Sequence, residues 1–190
     1  MILRQTILWI WKLIDPFFFL CSRLHYVNNG SKGQSIFRVR ITKYKGDNFT
    51  LSDGTCINRN DLLLKIHFHN VRLINDHLKI KNDLIRARLI YKLVLGSMPL
   101  LAVYLKEHPE EVKIKGVIGI TTINKGVRSL GFECYPPSNR LYIYFKKIGQ
   151  LPIFLLSSSS FKNFHKNQLT YLFLSKRKLY DIYWQNPASK

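Results

Sequence analysis

The chain reads as an α+β domain, a mixed sheet of about five to six strands packed against an N-terminal helix and a central kinked helix pair. Three observations predict this. Alternation of apolar and basic residues over 36–44 marks a strand with two unlike faces. The run of leucines opening 62–68 marks a strand in the interior of a sheet. Beyond Asn82 the period lengthens, and Leu84, Ile85, Leu89, Leu93 and Val94 form one broad helical stripe.

From the N-terminus, apolar side chains at 2, 3, 7–11, 13 and 14 leave a narrow polar stripe of Arg4, Gln5 and Lys12, the pattern of a mostly buried helix. Pro16 interrupts it, and Phe17–Leu20 begins a second helical turn that ends near Tyr26. Two roles suit this segment: packing on the sheet as core, or anchoring at a membrane interface with Trp9 and Trp11 at headgroup level. Residues 28–33 form a loop. In the strand that follows, Arg38, Arg40 and Thr42 line a cationic face opposite a dry one. Ser52, Asp53 and Gly54 make a hairpin turn between 49–51 and 55–57. The sequence Asn-Arg-Asn-Asp at 58–61 forms a turn, with Asn60 or Asp61 bonding its own backbone.

Gly96, Ser97 and Pro99 break or kink the long helix and open a second one to about Glu107. Residues 114–121 are a buried strand in which Gly116 and Gly119 indicate close backbone packing. Asn124 caps a short helix over 125–130 that Gly131 ends, and a strand occupies 132–135. Pro136 and Pro137 stop it. Ser138 then caps a helix with apolar positions 141, 144, 145, 148 and 151, although Tyr142 and Ile143 leave a strand open there. A polar loop spans 157–168, a strand 169–174, and Ser175 caps a last helix bearing Leu179, Tyr180, Ile182 and Tyr183. There is no internal repeat. One domain, 1–190, comprises an N-terminal helical segment over 1–27 and an α+β core over 35–185.

Composition bounds the function. A hydrophobic fraction of 46% argues against disorder, and 30 Lys and Arg against 11 Asp and Glu give a net charge of +19. Such a field attracts nucleic acid, acidic lipid headgroups or anionic envelope polymers. The basic residues are spread along the chain, and only Lys176–Lys178 forms a run of three. The longest charge-free runs, 93–105 and 148–161, are shorter than the roughly 20 residues a bilayer requires, and no small-x-small cleavage site follows the apolar N-terminus. The expectation is a cytoplasmic protein, free or associated with the inner membrane surface. Cys21, Cys56 and Cys134 lie far apart without metal-ligand spacing and read as buried, reduced thiols. Neither a phosphate-binding glycine loop nor a nucleophile elbow is present, so no cofactor is assigned.

Chemistry concentrates around strand 62–68. His67 and His69 share one face with Lys65, and Asn70 follows at the strand's exit. With Arg38 and Arg40 nearby, His67, His69 and Asn70 could line a pocket for an anionic ligand. The commoner fate of such residues is structural, as histidines that hydrogen-bond loops. A metal would need a third ligand, which only folding could supply from Asp53, Asp61, His77 or Glu133, and no metal is assigned. Asp61 and His67 are weak candidates for an acid–base pair. Aromatic and basic residues interleave at 38–44 and 142–147, but no nucleic-acid-binding module accompanies them.

The block Phe37–Arg40, then Leu51–Thr55, Asp61 and Ile66–Leu73, resembles the YkoP-like family of spore-forming, Gram-positive bacteria. Trp11 to Pro16, Gly119–Thr121 and Ser175 at the head of the last helix fit as well. The resemblance covers nearly the full chain and places Asp61, His67 and Asn70 on the family pattern. It implies no established activity. Family members occur alone or following a polysaccharide-deacetylase-like catalytic domain, and this chain has no counterpart of that enzyme's metal ligands. Three functions remain in view: a non-catalytic protein that recognises an anionic envelope or membrane-surface ligand, an enzyme acting on an envelope sugar or lipid intermediate, and a non-specific nucleic-acid binder. Nothing in the sequence sets the oligomeric state.

Overall fold

A computed structural model describes residues 9, 13, 16, 20, 23–28, 34–68, 82–121, 126–137 and 169–184. Eight strands follow one another along the chain: β1 (His25–Asn28), β2 (Gln34–Lys43), β3 (Phe49–Thr50), β4 (Cys56–Ile57), β5 (Leu62–Phe68), β6 (Ile114–Thr121), β7 (Glu133–Tyr135) and β8 (Thr170–Ser175). Two helices are described at length, α1 (Asp83–Lys106) and α2 (Lys176–Tyr183). Six strands form one mixed sheet in the order β1-β2-β5-β6-β8-β7, while β3 and β4 pair as a separate hairpin. All neighbours are antiparallel except β5 and β6. A parallel pair needs a crossover, and the connection between β5 and β6 includes α1.

Alternation then sorts the side chains. Phe37, Val39, Leu64, Ile66, Val117, Leu172 and Leu174 project from one face of the sheet. They meet Val94, Met98, Leu101 and Leu105 of α1 and Leu179 and Tyr183 of α2. The other face has two unlike ends. At one end Leu63, Ile118 and Phe173 pack under the β3–β4 hairpin with Leu51 and Ile57. The Phe173 ring stands 4.7 Å from Phe49, 5.6 Å from Tyr44 and 5.7 Å from Tyr135, all near edge-on. At the other end lie Arg38, Arg40, Lys65 and His67.

Helix α1 starts where Asn82 accepts hydrogen bonds from the Leu84 and Ile85 amides, an N-cap in extended conformation. It runs unbroken through Gly96 to Lys106 with Pro99 inside, so one helix stands where the sequence suggests a kinked pair. Ser97 opens no second helix. Its hydroxyl faces the sheet and accepts from the Ile36 amide at 3.2 Å, fastening α1 to β2. Its stretch Ala87–Lys106 is long and apolar enough to cross a membrane by length and composition, with a mean hydropathy of 1.5 and 33% of its strongest window buried. In the fold, the inner side of that stretch is core against the sheet.

The N-terminal reading needs correction. Residues 9, 13, 16 and 20 are helical, Pro16 among them, but the chain is a strand by His25 and not a helix reaching Tyr26. Arg23 adopts a left-handed conformation (φ 50) between the two. Trp9, Leu13 and Leu20 are exposed. The short helix expected over 125–130 is a single 3-10 turn, Arg128–Leu130, which Gly131 ends at φ 88. Among the cysteines, Cys56 faces solvent and Cys134 is half-buried, both as free thiols, so burial does not hold for Cys56. It sits on the outer side of β4 beside Thr50. The loop at 29–33, the Asn124 cap, the helix from Ser138, the loop at 157–168 and Cys21 lie outside the described residues.

Gly116 and Gly96 give opposite expectations. A Cβ on Gly116 would stand 2.5 Å from the Leu174 carbonyl oxygen, whereas one on Gly96 meets nothing within 4 Å. Urea unfolding should show Gly116→Ala destabilised by about 1–3 kcal/mol. Gly96→Ala, in a helix interior, should be stabilised by about 0.5–1 kcal/mol.

Candidate functional site

Antiparallel pairing of β2 with β5 sets Arg38 opposite His67 and Arg40 opposite Lys65. Directly opposed residues share a sheet face, with Cβ atoms roughly 5 Å apart. Two arginines, a lysine and a histidine are thus gathered on two adjacent strands. The sequence suggests a cationic face open to water, but Arg38 is only 4% exposed and Lys65 9%. His67 and Arg40 are half-buried. Tyr26 of β1 covers one corner: its hydroxyl accepts from the Arg38 guanidinium at 2.9 Å, and its ring lies 5.1 Å from that group. His69 and Asn70 lie outside the described residues, as does His77.

Asp61 and His67 do not meet. They are separated by six residues of extended β5, roughly 20 Å at ~3.3 Å per residue, so no proton passes directly between them. Instead the Asp61 carboxylate accepts from the Asn58 amide at 2.8 Å, and the Asp61 amide donates to the Asn58 carbonyl. Asn60 takes the left-handed conformation within this turn (φ 73). The acid–base reading fails on that separation, and Asp61 is a turn residue.

The Asp-Gly-Thr motif is structural too. Asp53 Oδ1 accepts from the Thr55 amide at 3.0 Å, and Gly54 provides a positive φ of 83. Asp53 Oδ2 accepts from the Ser175 hydroxyl, while Ser175 Oγ accepts from the Lys178 amide at 3.0 Å as the N-cap of α2. One carboxylate therefore ties the hairpin to the start of α2. Burial works to raise the Asp53 pKa, but the hydrogen bonds from Ser175 and Thr55 and the charge of Lys178 hold it below the usual carboxylate value. Glu133 supports the same hairpin, accepting from the Ser52 hydroxyl at 2.6 Å and the Ser52 amide at 3.0 Å. Glu111 plays the matching part at the other flank of α2. It accepts from the Tyr180 hydroxyl at 3.0 Å and pairs with Lys176 at 3.3 Å. Burial opposes its ionisation, and these two partners outweigh burial and lower its pKa. Burial, then the Glu111 carboxylate, push the Tyr180 phenol well above its usual range.

One concavity was not legible in sequence. A cleft of about 750 Å³ opens where β1 stops short of the end of β2, lined by Arg23, His25, Arg40, Thr42, Tyr104, Glu107 and His108 among others. Arg40 and Thr42 belong to the same sheet face as Arg38, so the cleft reaches the edge of the cationic cluster. Among the described residues no three His, Cys, Asp or Glu side chains gather as a metal site.

The mixed six-stranded sheet and its helices make this an α+β domain. The model of the YkoP domain matches residues 4–183, and the chain belongs to that family. It is similar to the uncharacterized protein YkoP of Bacillus subtilis (strain 168), with 45% identity over 181 residues that cover 95% of this chain and 98% of the relative. No solved structure matches it.

Because the Asp53 and Glu111 pKa values are lowered in the folded state, their contribution is complete above the ordinary carboxylate range. It is lost as pH falls through the depressed values. Urea midpoints should fall steeply below about pH 4. Asp53→Asn should flatten part of that decline, and Ser175→Ala should cost about 1 kcal/mol at pH 7.

Proposed function

We propose that this protein is a non-catalytic binding module that recognises an anionic group at the inner membrane surface, with Arg38, Arg40, Lys65 and His67 as the recognising side chains. The observation that carries this reading is the cross-strand pairing of Arg38 with His67 and Arg40 with Lys65 on one largely buried face. Four basic side chains gathered on one face create a local positive field that favours an anionic group. The chain's own acids are scarce, 11 against 30 Lys and Arg.

The membrane setting draws on two further features. Net charge of +19 favours anionic surfaces, and the exposed Trp9, Leu13 and Leu20 recur at spacings of four and seven, one side of a helix suited to an interface. His69 and Asn70, at the exit of β5, would extend the recognising surface. The envelope setting is supported by the family resemblance, in which such a domain follows a polysaccharide-deacetylase-like domain. Nucleic acid is less favoured, because Arg38 is buried.

Sedimentation with vesicles tests this. Binding should require phosphatidylglycerol, fall steeply between about 50 and 300 mM salt, over which the Debye length shortens about 2.4-fold, and weaken about tenfold in an Arg40→Gln, Lys65→Gln double variant. Equal binding to pure phosphatidylcholine vesicles would contradict it.

A further inference from the structure

Helix α1 has an outer side that the core does not use. Val94, Met98, Leu101 and Leu105 point into the core from one side of it. Turned the other way, at about 100° per residue, are Ile85, Arg88, Lys92, Leu95, Gly96 and Pro99, all of them exposed. Ile85 is 49% exposed, Leu95 41% and, at the flank, Leu93 38%. A helix that packs on a single sheet keeps its outer side polar. Here apolar residues lie outside as well as inside, and an exposed apolar strip marks a contact surface.

The charges of this side are sorted by end. Arg88 and Lys92 belong to the N-terminal half, whereas Glu107 caps the C-terminus, where the helix dipole is negative. All three are exposed, and none is held in an ion pair among the described residues. Lys106, the other cation at that end, is turned aside, its ammonium 5.4 Å from the Tyr180 ring centroid. A strip that is basic at one end and acidic at the other complements itself when turned end for end. With a two-fold axis between Gly96 and Pro99, Arg88 faces Glu107 of a second copy, roughly 14 Å along the helix from the axis at ~1.5 Å per residue. Lys92 then faces Val103, one turn from the same carboxylate, and Leu95 faces Leu100. The middle is open: a Cβ on Gly96 meets nothing within 4 Å, so two helices can approach closely there. An anionic bilayer fits this side less well, since Glu107 would meet it too and the cationic face lies on the opposite side of the sheet. Net charge of +19 opposes association at long range, but salt screens that repulsion beyond about 8 Å while the ion pairs act at closer range.

We propose that the outer side of α1 is a self-association surface on which a second copy of this chain docks antiparallel, with two Arg88–Glu107 ion pairs and apolar packing about Gly96. A helix of 24 residues is roughly 36 Å long and offers a strip about 10 Å wide, so the interface is small and the dimer reversible. The proposal is independent of the cationic face, because no side chain of β2 or β5 takes part.

Sedimentation equilibrium of the full chain near physiological salt tests it over about 10–300 µM, the range of small reversible interfaces. The molecular weight should rise with concentration from one chain toward two. Arg88→Glu and Glu107→Arg should each weaken association about tenfold, and the two together should restore it to within about threefold, because each ion pair re-forms with reversed sign. Gly96→Leu should abolish association without lowering the urea midpoint, since its Cβ meets nothing in its own chain. A single chain at every concentration, with binding to phosphatidylglycerol vesicles intact, overturns the proposal and leaves the cationic face standing. A single chain that binds no vesicles overturns both. Association that all three single variants leave unchanged overturns this surface, and weakening by both charge variants without recovery in the pair overturns the antiparallel register. Loss of vesicle binding but not of association in Gly96→Leu assigns the surface to a bilayer and overturns the proposal as well.

Discussion

Hydrogen bonding of β2 to β5 in a single register sends Phe37, Val39, Ile41, Leu64 and Ile66 toward the helices and Arg38, Arg40, Lys65 and His67 to the opposite side. A slip of one residue in either strand would bury its charges under α1 and expose its apolar set. That penalty is what makes the register specific, and every later feature inherits it. The core under α1, the aromatic seat of the β3–β4 hairpin and the cationic cluster are all consequences of one alternation read across two strands.

The second face of the sheet is divided along β5. Leu63 belongs to the aromatic end, where Phe173 is ringed by Tyr44, Phe49 and Tyr135. Two residues on, Lys65 begins the basic end. The first end is held by polar clamps as well as by aromatic packing. Asp53 bonds Ser175, Glu133 bonds Ser52, and Glu111 bonds Tyr180 and Lys176, so the hairpin and α2 are fastened by carboxylates. Several of the chain's few acids thus serve as structural clamps, and the positive excess falls on the rest of the molecule.

Where a signal is local, the sequence carries it. The alternation in 36–44, the leucine run of β5, the turn at Ser52–Gly54, the strand Ile114–Thr121 and the Ser175 cap can all be read from neighbouring residues. Pairing is a different matter. Four residues of β1 are too few to show a period, and the apolar run before them favours a helix. Pro99 signals a helix break, yet packing of Met98, Leu101 and Leu105 on the sheet outweighs the single hydrogen bond that proline removes. The site divides the same way. That Lys65 and His67 share a face follows from period two, but their facing Arg40 and Arg38 depends on register. The cleft depends on β1 ending early, a fact of tertiary structure. Burial of Arg38 could not be read from its neighbours either, since a residue it bonds, Tyr26, lies on another strand.

The central claim is that the basic side chains shared by β2 and β5 receive an anion. Amide chemical shifts of the full chain, followed as micelles of a short-chain phosphatidylglycerol or phosphatidylcholine are added, test it most directly. The account predicts that phosphatidylglycerol moves the signals of Arg38, Arg40, Lys65 and His67 most, and that phosphatidylcholine leaves them in place. Shifts confined to residues away from these two strands, or the same response to both lipids, would contradict it.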